Sequence, residues 1–520
     1  MSELSASSSF SCALLTDYLR RLSPFSVELQ QDYQRLYLDT FDGLLHQAGM
    51  SLLCEKRPDN VRLFLHRETS NRKDAELYRD KVPRFATELP PSSLRRSVES
   101  AIKVRALLPV LSLQVTQCTI AVLNRDQKTV ARIIYQNTIL SEPTGKGASA
   151  KIQRVRVEPL RGYDKWHQRV FRHLSQHEML APAEQSIYQE SLALAGIEPA
   201  GNSSKLRIAL QPSMRADTAL RLILSNLLQT MQRNEKGIRD AIDSEFLHDF
   251  RVSVRRTRSI LSQIKHVFPK QTHSRFGKEF AWLGAVTTPL RDLDVYLLTY
   301  CEYEAELPPS IRDDLAPLKS FLSTHHSTAH RQLVRQLNSQ RYNKLCRDWR
   351  RFVESAPPER SRLTNATRSI GDLANEQIWK SYRKVLKQGQ AISDSSPAES
   401  LHELRKTCKK LRYLMEFFRS LYEKKHIRKT IAILKGLQDI LGTFQDLEVQ
   451  QDTLRDYADQ MASEGTTPAA TLIAMGMLVE RLHTRQGETR NHFAERFDEF
   501  ATPTNRRLFK KLFRPAASSP

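Results

Sequence analysis

Sequence features typical of metal-binding, disulfide-bonded or membrane-spanning proteins are scarce in this chain. The six cysteines are scattered and form neither a Cys-x-x-Cys motif nor a cysteine–histidine pair. This argues against a zinc module or a disulfide framework and fits a reducing compartment. No uninterrupted apolar run reaches about 18 residues, and no basic segment precedes the short apolar patch at the N-terminus. We therefore expect a soluble cytoplasmic protein that is not exported.

Acidic residues are also in short supply. The chain has 58 aspartates and glutamates against 80 lysines and arginines, which gives a formal net charge of +22 and a pI near 9.8. Such an excess predicts a polyanionic partner, either nucleic acid, an anionic membrane or a phosphate polymer. Charge alone does not choose among these three.

The pattern of the chain changes near residue 200. At roughly 100–200 residues per domain, 520 residues predict two to four units. Between residues 35 and 160, short runs rich in β-branched and aromatic residues, such as LPVLSLQVTQCTIAVL, alternate with turn-forming stretches. After a Gly/Pro/Ser-rich break, periodicity is helical almost to the end. We predict a two-domain α+β protein, with a mainly antiparallel β domain at 1–203 and an all-α bundle at 204–520.

The helical part contains an internal repeat. The segment LHDFRVSVRRTRSIL at 247 aligns with LHELRKTCKKLRYLM at 401, and LRDLDV at 290 aligns with FQDLEV at 444. Both alignments have the same offset of 154 residues, as shown by His248 with His402 and by Asp292 with Asp446. We predict two equivalent multi-helix halves, at about 205–355 and 356–515, packed as a pseudo-twofold pair.

Each repeated segment is a basic amphipathic helix. At about 100° per residue, a basic set falls within an arc of about 80° beside a second, apolar arc; it consists of His248, Arg251, Arg255 and Arg258 in the first copy and of His402, Arg405, Lys409 and Arg412 in the second. The apolar arc holds Leu247, Phe250, Val254 and Leu261, and its second copy holds Leu401, Leu404, Cys408 and Met415. One interpretation is a solvated helix face. Three observations argue against a solvated face. Like charges three and four residues apart repel each other, and each motif has only one acidic residue, at its start, to relieve the repulsion. The same arrangement also occurs twice.

A ligand with many negative charges would offset this repulsion. Arginine supplies planar bidentate donors for phosphate oxygens and lysine supplies a point charge, so the set suits a string of phosphates. His248 and His402 would either donate to a phosphate or cap a buried network. We expect no catalysis by this pair, because neither a nucleophile nor a carboxylate pair accompanies them in the motif.

These four motifs, in this order, resemble the two halves of the CHAD family, the conserved histidine α-helical domain. The resemblance covers about residues 205–515 and implies a helical bundle that binds inorganic polyphosphate in a basic central groove, often at polyphosphate granules in bacteria. One departure is that Lys409 and Lys410 replace the two arginines of the first copy, which loses bidentate geometry. The predicted polyphosphate-binding residues are His248, Arg251, Arg255, Arg256, Arg258, His402, Arg405, Lys406, Lys409, Lys410 and Arg412, with Arg291 as a secondary candidate.

The first 200 residues resemble a CYTH domain, the triphosphate tunnel fold, through RLYLDTFDGLLHQAGMSLLCEKRPDNVRLFLHRE and the segments that follow it. That family holds Mg²⁺ or Mn²⁺ with tunnel carboxylates. Its opening Glu-x-Glu-x-Lys is absent here, and in RVRVE the residues Arg154 and Arg156 stand at glutamate positions, leaving Glu158. The resemblance implies a degenerate tunnel without metal catalysis. Its arginines are either a secondary phosphate site or an exposed face of a scaffold.

We therefore predict a non-catalytic polyphosphate-binding protein without a metal or another cofactor. Its partner would be polyphosphate, with neither specific nucleic acid nor membrane, and its location the cytoplasm, where the resemblance implies polyphosphate granules. Two alternatives remain open at this point: a metal-dependent triphosphatase or polyphosphatase that uses the N-terminal tunnel, and a nucleic-acid-binding protein. The oligomeric state is left open.

Overall fold

The computed structural model describes residues 3–57, 60–67, 70–79, 81–141, 150–198, 202–204, 206, 208–465 and 467–515. The chain forms two compact units, Met1–Ser203 and Ser204–Pro520. An antiparallel sheet dominates the first and helices make up the second, so the predicted α+β fold class is confirmed.

The strands of the first unit form one sheet. Their bounds are β1 (Glu3–Ala6), β2 (Phe25–Asp39), β3 (Met50–Lys56), β4 (Val61–Arg67), β5 (Ser70–Arg79), β6 (Leu108–Leu123), β7 (Thr129–Ser141), β8 (Lys151–Glu158) and β9 (Leu180–Pro182). They lie in the order β5-β4-β3-β2-β6-β7-β8-β1-β9, and all neighbouring pairs are antiparallel. Within the described strands, β5 and β9 are edges that do not pair with each other, so hydrogen bonds do not close the sheet into a barrel.

Five helices accompany this sheet in its described part, and they cover both faces. They are α1 (Cys12–Leu19), α2 (Leu44–Gln47), α3 (Ser93–Ile102), α4 (Asp164–Leu174) and α5 (Ile187–Ala195). Because strand side chains alternate between faces, each long strand contributes to two cores. On one face α1 and α4 pack on residues such as Ile120 and Val122, and on the other α5 packs on residues such as Leu113 and Val115.

The second unit is helical throughout its described length apart from its connections. Its helices are α6 (Ala216–Arg239), α7 (Ser244–Gln263), α8 (Lys270–Val286), α9 (Thr288–Glu306), α10 (Ala316–Leu337), α11 (Gln340–Glu354), α12 (Ile370–Gln390), α13 (Ala398–Phe417), α14 (Lys424–Ser463), α15 (Ala469–Asn491), α16 (Phe493–Phe500) and α17 (Pro503–Phe513). In this part of the chain no helix is long and apolar enough to cross a membrane.

The helix bounds repeat with the offset of the sequence motifs. Helices α6, α7 and α8 begin at residues 216, 244 and 270, and α12, α13 and α14 begin 154 residues later, at 370, 398 and 424. The halves differ at one place, because α8 and α9 are separated at Thr287 whereas α14 runs unbroken for 40 residues. Pro289 explains the break, since proline has no N–H to continue a helix and is tolerated in a first turn. The equivalent residue in α14 is Thr443.

The two halves contact each other through equivalent elements. Helix α6 packs against α12, and α7 against α13. Just before these helices, the Ala216 N–H donates to Arg368 O at 2.9 Å and its equivalent, the Ile370 N–H, donates to Met214 O at 2.8 Å. Such reciprocal contacts are the signature of a twofold axis, so the predicted pseudo-twofold arrangement is confirmed.

Candidate functional site: a cavity between the repeated basic helices

Helices α7 and α13 present their basic sides to one cavity of about 710 Å³. The side chain of Asp243 caps α7 by accepting from the Glu245 and Phe246 N–H groups at 2.9 and 3.3 Å. Part of α14 and one residue before α6 complete the wall. The lining residues are Ser204, His248, Asp249, Val252, Arg255, Arg256, Arg405, Lys409, Arg412, Tyr413, Glu416, Gln438, Asp439, Gly442, Thr443 and Asp446.

The apolar side of each helix fixes the direction of these cations. All eight residues of the two predicted apolar arcs are buried, with exposures of at most 3%: Leu247, Phe250, Val254, Leu261, Leu401, Leu404, Cys408 and Met415. The predicted buried arc is therefore confirmed in both copies. Because the basic arc lies beside the apolar arc on each helix, burying the apolar arc places part of the basic arc at the junction of α7 and α13.

Arg255 and Lys409 are equivalent cations, one from each half. Within the described part of the chain neither makes a hydrogen bond or an ion pair. Burial, together with the positive charges of Arg405 and Arg255, lowers the pKa of Lys409 to about 8, although Asp446 partly offsets this. The cavity thus holds a pair of cations whose charges the protein leaves without a direct counter-ion.

Two other arginines of the cavity share one carboxylate. Arg256 Nη2 donates to Glu416 Oε2 at 2.8 Å, and Arg412 Nε donates to Glu416 Oε1 at 2.8 Å. Arg256 also reaches Ser204 O at 3.2 Å, and Arg412 reaches Gln438 Oε1 at 3.3 Å. Both guanidinium groups are therefore held by the protein itself.

Arg405 and Lys406 have acidic partners as well. Arg405 Nη2 donates to Asp446 Oδ1 at 2.7 Å, and the aspartate side chain is 66% exposed. Lys406 Nζ donates to Glu403 Oε1 at 2.8 Å in an exposed pair outside the cavity lining. Asp446, which the sequence identified only as part of a repeat, is thus a cavity residue that neutralises one cation.

The structure places Arg251 and Arg291 outside the cavity lining. Arg251 Nη1 donates to Gly284 O at 3.0 Å and to the Thr287 and Thr288 hydroxyls at 2.6 and 3.0 Å, which ties α7 to the break between α8 and α9. Burial and then the nearby Arg255 lower the pKa of Arg251 to about 10. Arg291 donates to Ser244 O at 3.2 Å. Both arginines therefore hold neighbouring helices together and are not directed into the cavity.

Arg258 and Lys410, also predicted to bind the ligand, are exposed and do not line the cavity. Their equivalents Arg412 and Arg256 do line it, so the halves contribute unequally.

The two histidines occupy different surroundings. His248 is half-buried and lines the cavity. The His402 Nδ1–H donates to Gln445 Oε1, and Gln445 Nε2 donates in turn to Glu448 Oε2 at 3.1 Å. His402 therefore joins α13 to α14. Of the two roles considered for the histidines, this contact is of the kind expected for capping a network and not for donating to a phosphate.

Sequence reasoning did not identify the carboxylates of the cavity. Four of them, Asp249, Glu416, Asp439 and Asp446, face five lysine and arginine side chains. Glu416 follows Arg412 by four residues, and this helical spacing was a usable signal. Asp439 and Asp446 lie on α14, and only the tertiary fold brings them to α13. The cavity is consequently less positive than the two motifs alone suggest.

The N-terminal arginines lie on the sheet of the first unit. Arg154 is 3% exposed, and its guanidinium donates to the Glu190 carboxylate and to Gln185 O, both on or near α5. Arg156 Nη2 donates to Glu158 Oε1 at 2.9 Å. Among the residues that the structure describes, no group of three or more His, Cys, Asp or Glu side chains could hold a metal.

Comparisons with known proteins identify the helical unit. Residues 222–455 match the CHAD domain, so a CHAD domain is present. Two curated Mycobacterium tuberculosis proteins, Uncharacterized protein MT2285 and Uncharacterized protein Rv2226, are each 25% identical over 302 residues, which cover 55% of this chain and 56% of theirs. The chain thus spans about half the length of the curated relatives it matches.

Two solved structures are also similar to this chain. The crystal structure of the CHAD domain from the plant Ricinus communis is 25% identical, with a TM-score of 0.48, and covers 57% of this chain and 97% of that one. PptA from Streptomyces chartreusis is 16% identical, with a TM-score of 0.44, and covers 55% of this chain and 100% of that one.

Proposed function

We propose that this protein binds inorganic polyphosphate, without hydrolysing it, in the cavity between α7 and α13. The observation that carries the proposal is the convergence of both repeated motifs on one cavity, where Arg255 and Lys409 have no direct partner among the described residues. A polyphosphate chain offers phosphate oxygens to both cations at once. The resemblance to CHAD domains implies the same ligand, and with it a location at polyphosphate granules.

The size and lining of the cavity favour a thin polymer over nucleic acid. Its volume of about 710 Å³ lies in the range of small-ligand sites, roughly 300–1,000 Å³, and therefore suits a short segment of a chain. Proteins that bind single-stranded nucleic acid stack successive bases on aromatic side chains. Tyr413 is the one aromatic residue among those that line the cavity.

For the N-terminal unit we propose a triphosphate-tunnel relative that has lost hydrolysis. A buried polar cluster on one face of the sheet supports this: Arg35 Nη2 donates to Glu55 Oε1 at 3.0 Å and to the Tyr33 hydroxyl at 2.9 Å, and Gln136 Nε2 reaches the same hydroxyl at 3.1 Å. Both oxygens of the Glu55 carboxylate are therefore paired with arginine, because Arg57 donates to the second oxygen at 3.0 Å. Metal ligation would require breaking these pairs.

The first experiment is a competition assay for the ligand. Labelled long-chain polyphosphate is bound to the full chain at near-physiological salt and challenged with unlabelled polyphosphate, DNA or RNA. We expect polyphosphate alone to compete effectively, and displacement by nucleic acid at equal phosphate concentration would contradict the proposal. Phosphate release from tripolyphosphate with added Mg²⁺ or Mn²⁺ tests the enzyme alternative, and turnover would overturn the non-catalytic assignment.

The second experiment locates the site. The double variant R255Q/K409Q removes the two cations without partners, and K424Q/K425Q removes two exposed lysines at the start of α14, outside the cavity. Both variants lose two charges. We expect roughly tenfold or greater weakening from the first pair and little from the second, because the first removes charged hydrogen bonds to the ligand. Equal losses would indicate a diffuse basic surface.

A further inference from the structure

Glu416 is an acidic residue placed among the cations of the cavity. Its two carboxylate oxygens accept from one arginine of each half, Arg256 and Arg412, both at 2.8 Å. The Glu416 and Arg256 side chains are 17% and 14% exposed, so this ion pair is shielded from solvent. Glu416 therefore joins α7 of one half to α13 of the other within the lining of the cavity.

A carboxylate and a phosphate present similar acceptors to a guanidinium group. Both offer oxygens to its N–H donors, and both compensate its charge. Glu416 thus lies where a phosphate of a bound chain would otherwise contact both arginines. The remaining donors are partly used by the protein, through Ser204 O for Arg256 and Gln438 for Arg412.

The carboxylate has no equivalent in the other half of the repeat. The residue 154 positions before Glu416 is Ser262, which is exposed and donates to Ser259 O. Among the described residues, no carboxylate is bound to Arg255 or Lys409, which are equivalent to each other across the two halves. Of the five lysine and arginine side chains that line the cavity, two are paired with Glu416, one is paired with Asp446, and two have no direct counter-ion among the described residues.

We propose that Glu416 is a specificity-determining residue that competes with ligand phosphates for Arg256 and Arg412. A bound chain contacts Arg255 and Lys409 and gains the other two guanidinium groups only by displacing the carboxylate. A single phosphate cannot provide enough contacts to do so, whereas a polymer can. This role rests on the proposed function, since it assumes that a polyphosphate segment enters the cavity.

The test compares E416Q with the matched control E403Q. Both variants remove one negative charge from α13, but Glu403 belongs to the exposed pair with Lys406 outside the cavity. Affinity for long-chain polyphosphate is measured at several salt concentrations. We expect E416Q to bind roughly tenfold more tightly than the wild type, because two charged contacts become available. Its plot of log affinity against log salt should steepen by about 1.4, at ~0.7 per additional phosphate neutralised on a single strand.

Each alternative result has a distinct meaning. Weaker binding by E416Q would overturn the proposal, because it would show that Glu416 holds the arginines in position for the ligand. Equal changes in E416Q and E403Q would also overturn it and indicate a general charge effect. If E416Q unfolds, E416D retains the charge but shortens its reach, and binding weaker than that of the wild type would count against competition. Failure of the wild type itself to bind polyphosphate would instead refute the proposed function.

Discussion

The lowered pKa of Lys409 predicts that the proposed binding of polyphosphate depends on pH. Its ammonium group is largely buried near Arg255 of α7 and Arg405 of α13, with Asp446 of α14 as the opposing charge, and its pKa is lowered to about 8. A phosphate contact favours the charged form and raises this pKa in the complex. We therefore expect binding to be strongest below pH 8, where Lys409 already carries its proton, and to weaken as the pH rises through 8.

The magnitude follows from the protonated fraction of Lys409. With a pKa of about 8, roughly 90% of the free protein carries the proton at pH 7 and roughly 10% at pH 9. If the complex retains the proton, affinity falls by about tenfold across this interval. The internal phosphates of the polymer are strong acids and stay ionised throughout.

The assay is a fluorescence-anisotropy titration of labelled polyphosphate at pH 7, 8 and 9 and constant ionic strength. K409R keeps a positive charge across the interval, because arginine does not lose its proton in this range, and its affinity should be nearly constant. K410R alters the exposed neighbouring lysine and should behave like the wild type. A tenfold decline that persists in K409R would refute the reasoning.

Three further predictions concern stability. Polyphosphate should raise the melting temperature, by an amount equivalent to about 2.7 kcal/mol at a ligand concentration of one hundred times Kd, and added salt should reduce the effect; an unchanged melting temperature would count against the site. G237A should destabilise the helical unit by roughly 1–3 kcal/mol in denaturant unfolding, because a Cβ there overlaps the Phe246 ring, whereas G277A meets open space and should not destabilise it. E55Q should cost about 3–5 kcal/mol, because it breaks the buried pair with Arg35. Burial favours the neutral acid, but Arg35 and Arg57 outweigh it and lower the pKa of Glu55. The free energy of unfolding of the wild type should therefore fall as the pH drops below the usual range of a glutamate. E55Q should lack this pH-dependent part of the stability.

Local periodicity was enough to predict the helical repeat and its buried arcs. Leu247 and Leu401 begin two copies of one pattern, and the equal spacing of the downstream aspartates agrees with helices that begin at equivalent positions in the two halves. The fold class followed from the same information, because alternation and helical periodicity are properties of neighbouring residues. The finer feature that differs between the halves, the break at Thr287, coincides with Pro289, whose equivalent in α14 is a threonine.

Partners distant in the chain could not be predicted in the same way. Arg251 and Arg255 look alike in the sequence, but one is bound to the residues around Thr287 and the other faces the cavity. The distinction depends on where α8 ends against α7, which is tertiary information. For the same reason, the pairing of Arg256 with Glu416 across the two halves emerged only from the structure.

The reciprocal hydrogen bonds at the starts of α6 and α12 have a consequence for how such a site can evolve. They are the contacts that two identical subunits would make across a symmetry axis. In a homodimer every substitution occurs twice, so a carboxylate at the position of Glu416 would appear on both sides. Joining the two copies in one chain removes that constraint, and the serine at position 262 shows the result. Covalent linkage lets one half carry a carboxylate that binds an arginine from each half while the equivalent position of the other half carries a serine.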